Sequence, residues 1–500
     1  MNGHEKSDSS VVPTKRPNKA AADADAAEAV EGRELAKRNP VERDMRRTQC
    51  RHTSMPNALE RIREAARRDG AQRFTSLMHH VYDIERLRSS YRELRKQSAA
   101  GVDGVTWRSY GEELEPNLQS LGARLKRGMY RARGTRRAHI PKTDGTTRPI
   151  GVPTLEDKLV QRSMAEVLGA LYESDFVGFS YGFRDGRSPH HALDALAVAI
   201  ERRKVNWVLD ADIRGFFDTL DHGWLQKFVE HRIGDRRVVN LILQWLKAGV
   251  LDKGRRIRSE VGTVQGGSIS PLLANIYLHY VFDLWAHQWR KRHARGDVVI
   301  VRFADDFVVG FEQQADGERF LGELRERFAK FNLALHPEKT RLIEFGRHAA
   351  TARHRRGLGK PETFDFLGFT HISGKSRDGR FALLRKTARK RFQAKLKQVR
   401  ANLRERLNWS VPQMGVYLAA VVKGHVNYYG VPHNSRSITA FRLSVGKIWR
   451  WTLERRSQRT RIPWERMRRL VARWLPLARV CHPFPNVRFD VTTQGRSRMR

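Results

Sequence analysis

The stretch Val298-Val299-Ile300-Val301-Arg302-Phe303-Ala304-Asp305-Asp306-Phe307-Val308-Val309-Gly310-Phe311 restricts the folds open to this chain more than any other. Two β-branched or aromatic runs of strand length flank two adjacent carboxylates, a pattern that predicts a buried β-hairpin with the acids at its tip. Aspartate is also a common turn residue, so a solvated tip is the plainer meaning of these residues alone. A pair of metal-binding carboxylates on rigid strands requires a third acid elsewhere and phosphate-binding groups around it.

A third acid is present. In Trp207-Val208-Leu209-Asp210-Ala211-Asp212-Ile213, period-2 alternation puts Val208, Asp210 and Asp212 on one strand face. Two acids on an apolar strand are costly unless they bind a cation or reach water. Arg214-Gly215-Phe216-Phe217 follows. Asp218 and Asp221 are assigned to turn and cap duty, Asp221 as N-cap of a helix with Trp224, Leu225, Phe228 and Val229 inward.

Cations and a flexible loop accompany these acids. A hairpin signal over Ala138–Pro153 turns at Asp144-Gly145, bracketed by Lys142 and Arg148. Without context, solvated loop charges are the better account of that pair. The loop Gly262-Thr263-Val264-Gln265-Gly266-Gly267-Ser268-Ile269-Ser270-Pro271 opens a helix, with Ser270 as the expected N-cap and Pro271 at its first turn. Its paired glycines permit close backbone approach by a ligand. Lys339 lies in a turn, His336 to Thr340, before the strand Arg341–Phe345. The rings of Phe179-Ser180-Tyr181-Gly182-Phe183-Arg184 suit either a core or a nucleic-acid groove.

Charge sets the class of partner. Lys and Arg number 95 against 54 Asp and Glu, a net charge of +41. A charge that size steers the chain to a polyanion, nucleic acid first and an anionic membrane surface second. No apolar run is long enough to span a bilayer. The two cysteines, Cys50 and Cys481, form no C-x-x-C pair, which excludes a cysteine-rich zinc module and fits a reducing cytoplasm.

Residues 1–58 have the composition of a disordered leader. Helical periodicity begins near Val81 and recurs from Tyr110 to Tyr130, from Pro189 to Arg203 and from Asp316 to Phe331. Beyond Ser373 the character becomes helical and basic, with Leu384, Ala388, Phe392, Leu396, Val399, Leu403 and Leu407 in one stripe. Arg385 to Arg406 holds ten Lys/Arg and one acid, and Arg436 to Trp474 holds twelve Lys/Arg and two acids with Trp449, Trp451, Trp464 and Trp474 interleaved. Cations for phosphates and rings for stacking suit RNA with unpaired segments. The candidate RNA contacts are Arg385, Lys386, Arg389, Lys390, Lys447, Arg450, Arg455 and Arg456. For Trp464 and Trp474 a core stripe under a solvated face remains open.

Acids at Asp212 and Asp305-Asp306 are the hard oxygen ligands that phosphoryl transfer by two magnesium ions needs. Lys142, Arg148 and Lys339 are available to a triphosphate, and Gln265-Gly266-Gly267 to an incoming base pair. Taken with Arg148-Pro149-Ile150-Gly151-Val152-Pro153, Ala211-Asp212-Ile213-Arg214-Gly215-Phe216-Phe217-Asp218, Ser270-Pro271-Leu272-Leu273-Ala274-Asn275 and His336-Pro337-Glu338-Lys339-Thr340, these motifs closely resemble those of the bacterial group II intron-encoded reverse transcriptases, or maturases. The resemblance runs from about Leu77 to Phe489.

It implies an α+β chain, a right-hand polymerase whose fingers and palm carry antiparallel sheet, followed by an all-α thumb and a maturase domain. The expected divisions are a leader 1–58, a helical fingers extension 59–122, fingers and palm 123–372, thumb 373–410, maturase domain 411–490 and a basic tail 491–500. Metal ligation is carried over to Asp212, Asp305 and Asp306, with the Ile213 carbonyl as an extra ligand. The ions expected are two Mg2+, with Mn2+ as a substitute. Lys142 and Arg148 become triphosphate clamps, Phe217 a steric gate against a ribose 2′-hydroxyl, and Lys339 a general acid or pyrophosphate contact. Gly424-His425-Val426-Asn427-Tyr428-Tyr429-Gly430 resembles the maturase core. The implied partners are intron RNA, an RNA template with a DNA primer, dNTPs and target DNA, in a cytoplasmic ribonucleoprotein of a bacterium. Phe303 stands where many relatives have Tyr. The His-Asn-His endonuclease module of many relatives is not expected after Asp490. A splicing-only RNA-binding protein and a reverse transcriptase recruited to host defence or repair are the alternatives.

Overall fold

The computed structural model describes residues 55–141, 147–252, 255–257, 261–263, 266–376, 378–456 and 461–488. The first described element is the helix Met55–Arg68, so helix begins inside the stretch expected to be leader. The helices Met78–Val81, Ile84–Glu93, Trp107–Glu112 and Leu114–Lys126 follow. The single helix expected over Tyr110–Tyr130 is therefore two, broken at Glu113.

Strands β1 (Thr135–Pro141) and β2 (Thr147–Val152) form the expected antiparallel hairpin, with Ile140 opposite Arg148. β4 (Val250–Asp252) joins β1 in parallel and β5 (Arg255–Ile257) pairs with β4, giving the sheet order β2-β1-β4-β5. A second four-stranded sheet, order β6-β7-β3-β8, contains β3 (Trp207–Asp212), β6 (Val298–Phe303), β7 (Asp306–Phe311) and β8 (Arg341–Glu344), all antiparallel.

Alternation along this sheet feeds two cores. Ile300, Phe307, Val309 and Leu209 point into the large core built with the helices Leu155–Tyr172 and Gln314–Lys330. Val299, Val301, Val308, Val208 and Ile343 point the other way, against the helix Pro189–Arg202. Each such side chain removed from water contributes about 1.5–3 kcal/mol. A one-residue slip would exchange the two faces, so the register that places the acids is strongly held.

A third sheet, β11-β10-β9, joins β9 (Phe364–Phe366), β10 (Phe369–Lys375) and β11 (Phe381–Thr387). Between β9 and β10 the chain turns at Leu367-Gly368, both at positive φ. The helical region starts at Arg389, not at Ser373. The helices Arg389–Glu405, Val411–Tyr429, Ser435–Glu454 and Trp464–Trp474 then close a third core around Trp449, Met414 and Phe441. Arg385 lies on β11, not on a helix. It is buried and pairs with Asp194 at 2.9 Å, so it contributes nothing to an exposed RNA surface.

Candidate active site in the palm sheet

The hairpin forms as expected, with Ala304 and Asp305 at the turn between β6 and β7. Asp212, the last residue of β3, lies directly opposite Asp306, the first of β7. Side chains of directly opposed residues start roughly 4.5–5.5 Å apart at Cβ, so the register itself puts the two carboxylates within reach of a shared cation. Asp305 completes the set from the tip. Asp306 keeps solvent-facing surface, yet burial of its carboxyl by surrounding protein, then the charges of Asp305, Asp212 and Asp210, push its pKa up to about 7; Arg391 on the first basic helix pulls the other way. Asp210 is pushed up to about 6, mainly by burial, with Arg341 opposing at 3.8 Å.

Burial of carboxylates, compounded by their mutual repulsion, is what a bound cation relieves, and carboxylate oxygen is the donor that magnesium prefers. Among the described residues, no three His, Cys, Asp or Glu side chains are gathered tightly enough to hold an ion by themselves. Magnesium is usually held by one or two carboxylates together with substrate phosphates, so the donor set fits it. Lys339 reaches Asp212 at 2.5 Å, and the His336 amide donates to the Asp212 carbonyl. Ile213 bridges Leu335 one residue beyond β3.

The proposed nucleotide side is partly described. Lys142 and Gln265 lie outside the described residues, as does the Arg148 side chain; the Arg148 backbone is in β2. Phe217 sits on the short helix Phe216–Thr219, half-buried, its ring edge-on to Phe216. Its carbonyl accepts from the Thr263 amide at 2.7 Å. Gly266 has φ +118, and a Cβ there would stand 2.6 Å from the Gly151 carbonyl oxygen. The close approach that needs this glycine is therefore to the chain's own β2. Phe217, the glycine loop and the strand carrying Arg148 are thereby joined. Ser270 is the first helical residue and not the cap; its hydroxyl accepts from Thr263 at 3.1 Å. Asp221 does cap its helix, accepting from the Trp224 amide at 2.8 Å.

Behind the tip the structure shows residues that carried no assigned role. Arg302, the lone charge in β6, is fully buried beside the equally buried Asp283. Asn275 and Ser180 contact the same guanidinium. A single arginine in an apolar strand run is the signal that could have found this cluster, because a buried charge requires a partner. The ring-rich stretch divides: Phe179 and Tyr181 are core, while Phe183 is 55% exposed with a left-handed backbone, φ 57.

Residues 140–371 match the family model described as reverse transcriptase (RNA-dependent DNA polymerase). The chain carries a reverse transcriptase domain. Protein YkfC of Escherichia coli K12 is 37% identical to it over 238 residues, 42% of this chain and 62% of YkfC. The group II intron-encoded protein LtrA of Lactococcus lactis is 34% identical over 222 residues, 44% of this chain and 37% of LtrA. An uncharacterized 91 kDa protein in the cob intron of Schizosaccharomyces pombe is 41% identical over 144 residues, 29% of this chain and 18% of that protein. The matches thus cover less than two thirds of these relatives. The chain is thus similar in sequence to a group II intron-encoded protein, and the reverse transcriptase match encloses Asp212, Asp305, Asp306, Phe217 and Lys339.

The basic helices differ from expectation in detail. Lys386, Arg389, Lys390, Lys447, Arg455 and Arg456 are exposed. Arg455 lies over Trp451 at 4.5 Å, with Arg404 at 5.2 Å and Arg400 at 5.4 Å, and Arg456 donates to the Trp409 carbonyl. Arg450 pairs with Glu454 at 2.9 Å and covers Trp464 at 4.3 Å. Trp449 is core, Trp474 packs on Gly415, and Trp464 is 44% exposed. Among the described residues, no helix is long and apolar enough to cross a membrane.

Proposed function

We propose that this protein is an RNA-directed DNA polymerase that extends a DNA primer on an RNA template, and that it binds group II intron RNA and promotes its splicing and mobility. The observation that carries the polymerase reading is the register of Asp212 opposite Asp306 with Asp305 beside it. Two Mg2+ ions at Asp212, Asp305 and Asp306, with the Ile213 carbonyl as an added ligand, would lower the pKa of the primer 3′-hydroxyl and neutralise charge on the leaving pyrophosphate; Mn2+ would serve as a substitute.

The chain's own residues orient the reactants. Lys142 and Arg148 clamp the triphosphate. Gln265, with the Gly266 backbone beside it, is assigned to the incoming base pair. Phe217 blocks the space a ribose 2′-hydroxyl would need. Lys339 moves from Asp212 to the departing pyrophosphate, where its ammonium serves as acid or counter-charge. Phe183 stacks on the nucleic acid near the hairpin. Lys386, Arg389, Lys390, Lys447, Arg450, Arg455 and Arg456 meet RNA phosphates.

Relatedness to LtrA, a group II intron-encoded protein, supports the intron partner. The test is primer extension on an RNA template with dNTPs and Mg2+. Product that disappears on chelation, and that the Asp305→Asn variant does not make, is the expected result; undiminished extension by that variant excludes the assignment.

A further inference from the structure

We propose that Arg302 is a positioning residue for polymerisation, fixing the Asp305-Asp306 tip through the Ala304 carbonyl; this rests on the polymerase reading above. Every N–H of its guanidinium is used. Nε donates to Asp283 at 2.6 Å and Nη2 to the other Asp283 oxygen. Nη2 also donates to the Ser180 hydroxyl at 2.7 Å. Nη1 donates to the Asn275 side-chain carbonyl at 3.1 Å and to the Ala304 carbonyl at 2.9 Å.

A buried ion pair is a poor source of stability, since well-packed apolar side chains of similar volume often serve as well. Apolar side chains would not hold the Ala304 carbonyl. Ala304 has φ 59, a region alanine rarely occupies, so its conformation must be imposed by its surroundings. Arg302 holds it from behind. From below, Gly182 lies so close that a Cβ there would stand 2.3 Å from the Ala304 nitrogen. The backbone of Arg302 is also fixed, donating to the Phe179 carbonyl at 2.9 Å and accepting from the Tyr181 amide at 2.8 Å.

The other end of the linkage lies at the nucleotide side. Asp283 closes a π-helical turn, His279–Asp283, continuous with the helix Ser270–Leu278. That helix starts just after Gly266, which rests on β2. Wider turns of this kind recur at functional sites; here the turn carries Asp283 to the guanidinium. The loop beside the nucleotide and the catalytic tip are thus tied through one arginine.

The test compares wild type, Arg302→Lys and the double variant Arg302→Met/Asp283→Leu in primer extension, with thermal melting and primer-template affinity measured alongside. Lysine keeps a charge for Asp283 but loses the fork that reaches Ala304. The double variant removes both charges together. Expected are near-wild-type melting and template affinity, little change in the KM for dNTP, and a kcat reduced about 100-fold, the cost of a displacement on the order of 1 Å at a reacting group. A folded double variant with wild-type kcat overturns the proposal. Should the double variant not fold, a folded Arg302→Lys variant with wild-type kcat overturns it equally. Wild type inactive in this assay would instead overturn the polymerase reading.

Discussion

In the palm, Arg302 and Asp283 are both fully buried and every N–H of the guanidinium is satisfied; on the helix Arg389–Glu405, Arg389, Lys390, Arg400 and Arg404 are all exposed, two of them lying over the half-buried Trp451. The same residue type does two different jobs. A desolvated charge acts through direction and distance, since its partners are fixed and few. A field of solvated charges acts through number, since each contributes a similar increment to attraction for a polyanion. Arg385 and Arg389 lie four residues apart on opposite sides of that divide, one within a strand and paired with Asp194, the other on the first turn of an exposed helix.

The largest effect is expected from removing a buried partner. Asp194 faces both Arg385 at 2.9 Å and Arg488 at 3.0 Å, and all three are largely desolvated. Asp194→Ala leaves two buried cations together, and a urea melt should show a loss of about 3–5 kcal/mol. Stability within about 0.5 kcal/mol of wild type, the range of an ordinary surface substitution, would place this pair with the solvated charges. A smaller effect is expected at Phe217. Phe217→Ala should raise ribonucleotide incorporation relative to dNTP by roughly 10–100-fold, the size of discrimination that pocket shape alone supplies. An unchanged ratio would remove Phe217 from the specificity account. The smallest effect belongs to a single exposed cation. Lys390→Ala should leave the melt unchanged, weaken RNA binding by a few-fold, and lower the slope of log affinity against log salt by about 1. A flat salt response in the wild type would mean that these charges are merely solvated.

The palm was legible because its signals are local and redundant. Strand-length apolar runs around Asp305-Asp306, and period 2 through Asp210 and Asp212, determined which residues share a face before any pairing was known. Three things were hidden for physical reasons. Leu384, Ala388 and Phe392 recur every four residues, but that stripe crosses from β11 into a helix, so its regularity placed Arg385 on the wrong element. Gly266 was read as room for a ligand, whereas its nearest neighbour is the Gly151 carbonyl, contributed by a strand far away in sequence. Arg302 is a lone charge in an apolar strand, but its partner is brought close only by the π-turn ending at Asp283, which no local pattern announces. Among the tryptophans, helical spacing grouped Trp464 with Trp474, while the packed helices leave Trp464 exposed under Arg450 and seat Trp474 against Gly415.

One variant separates chemistry from attraction. Asp305→Asn should fold, bind RNA with wild-type affinity and wild-type salt slope, and incorporate dNTP at a rate lower by roughly 1000-fold or more, because several kcal/mol of charge stabilisation at the reacting phosphate is lost. Wild-type incorporation by a folded Asp305→Asn protein, or a loss of RNA affinity that matches the loss of rate, would contradict a catalytic palm that works separately from an RNA-binding helical region.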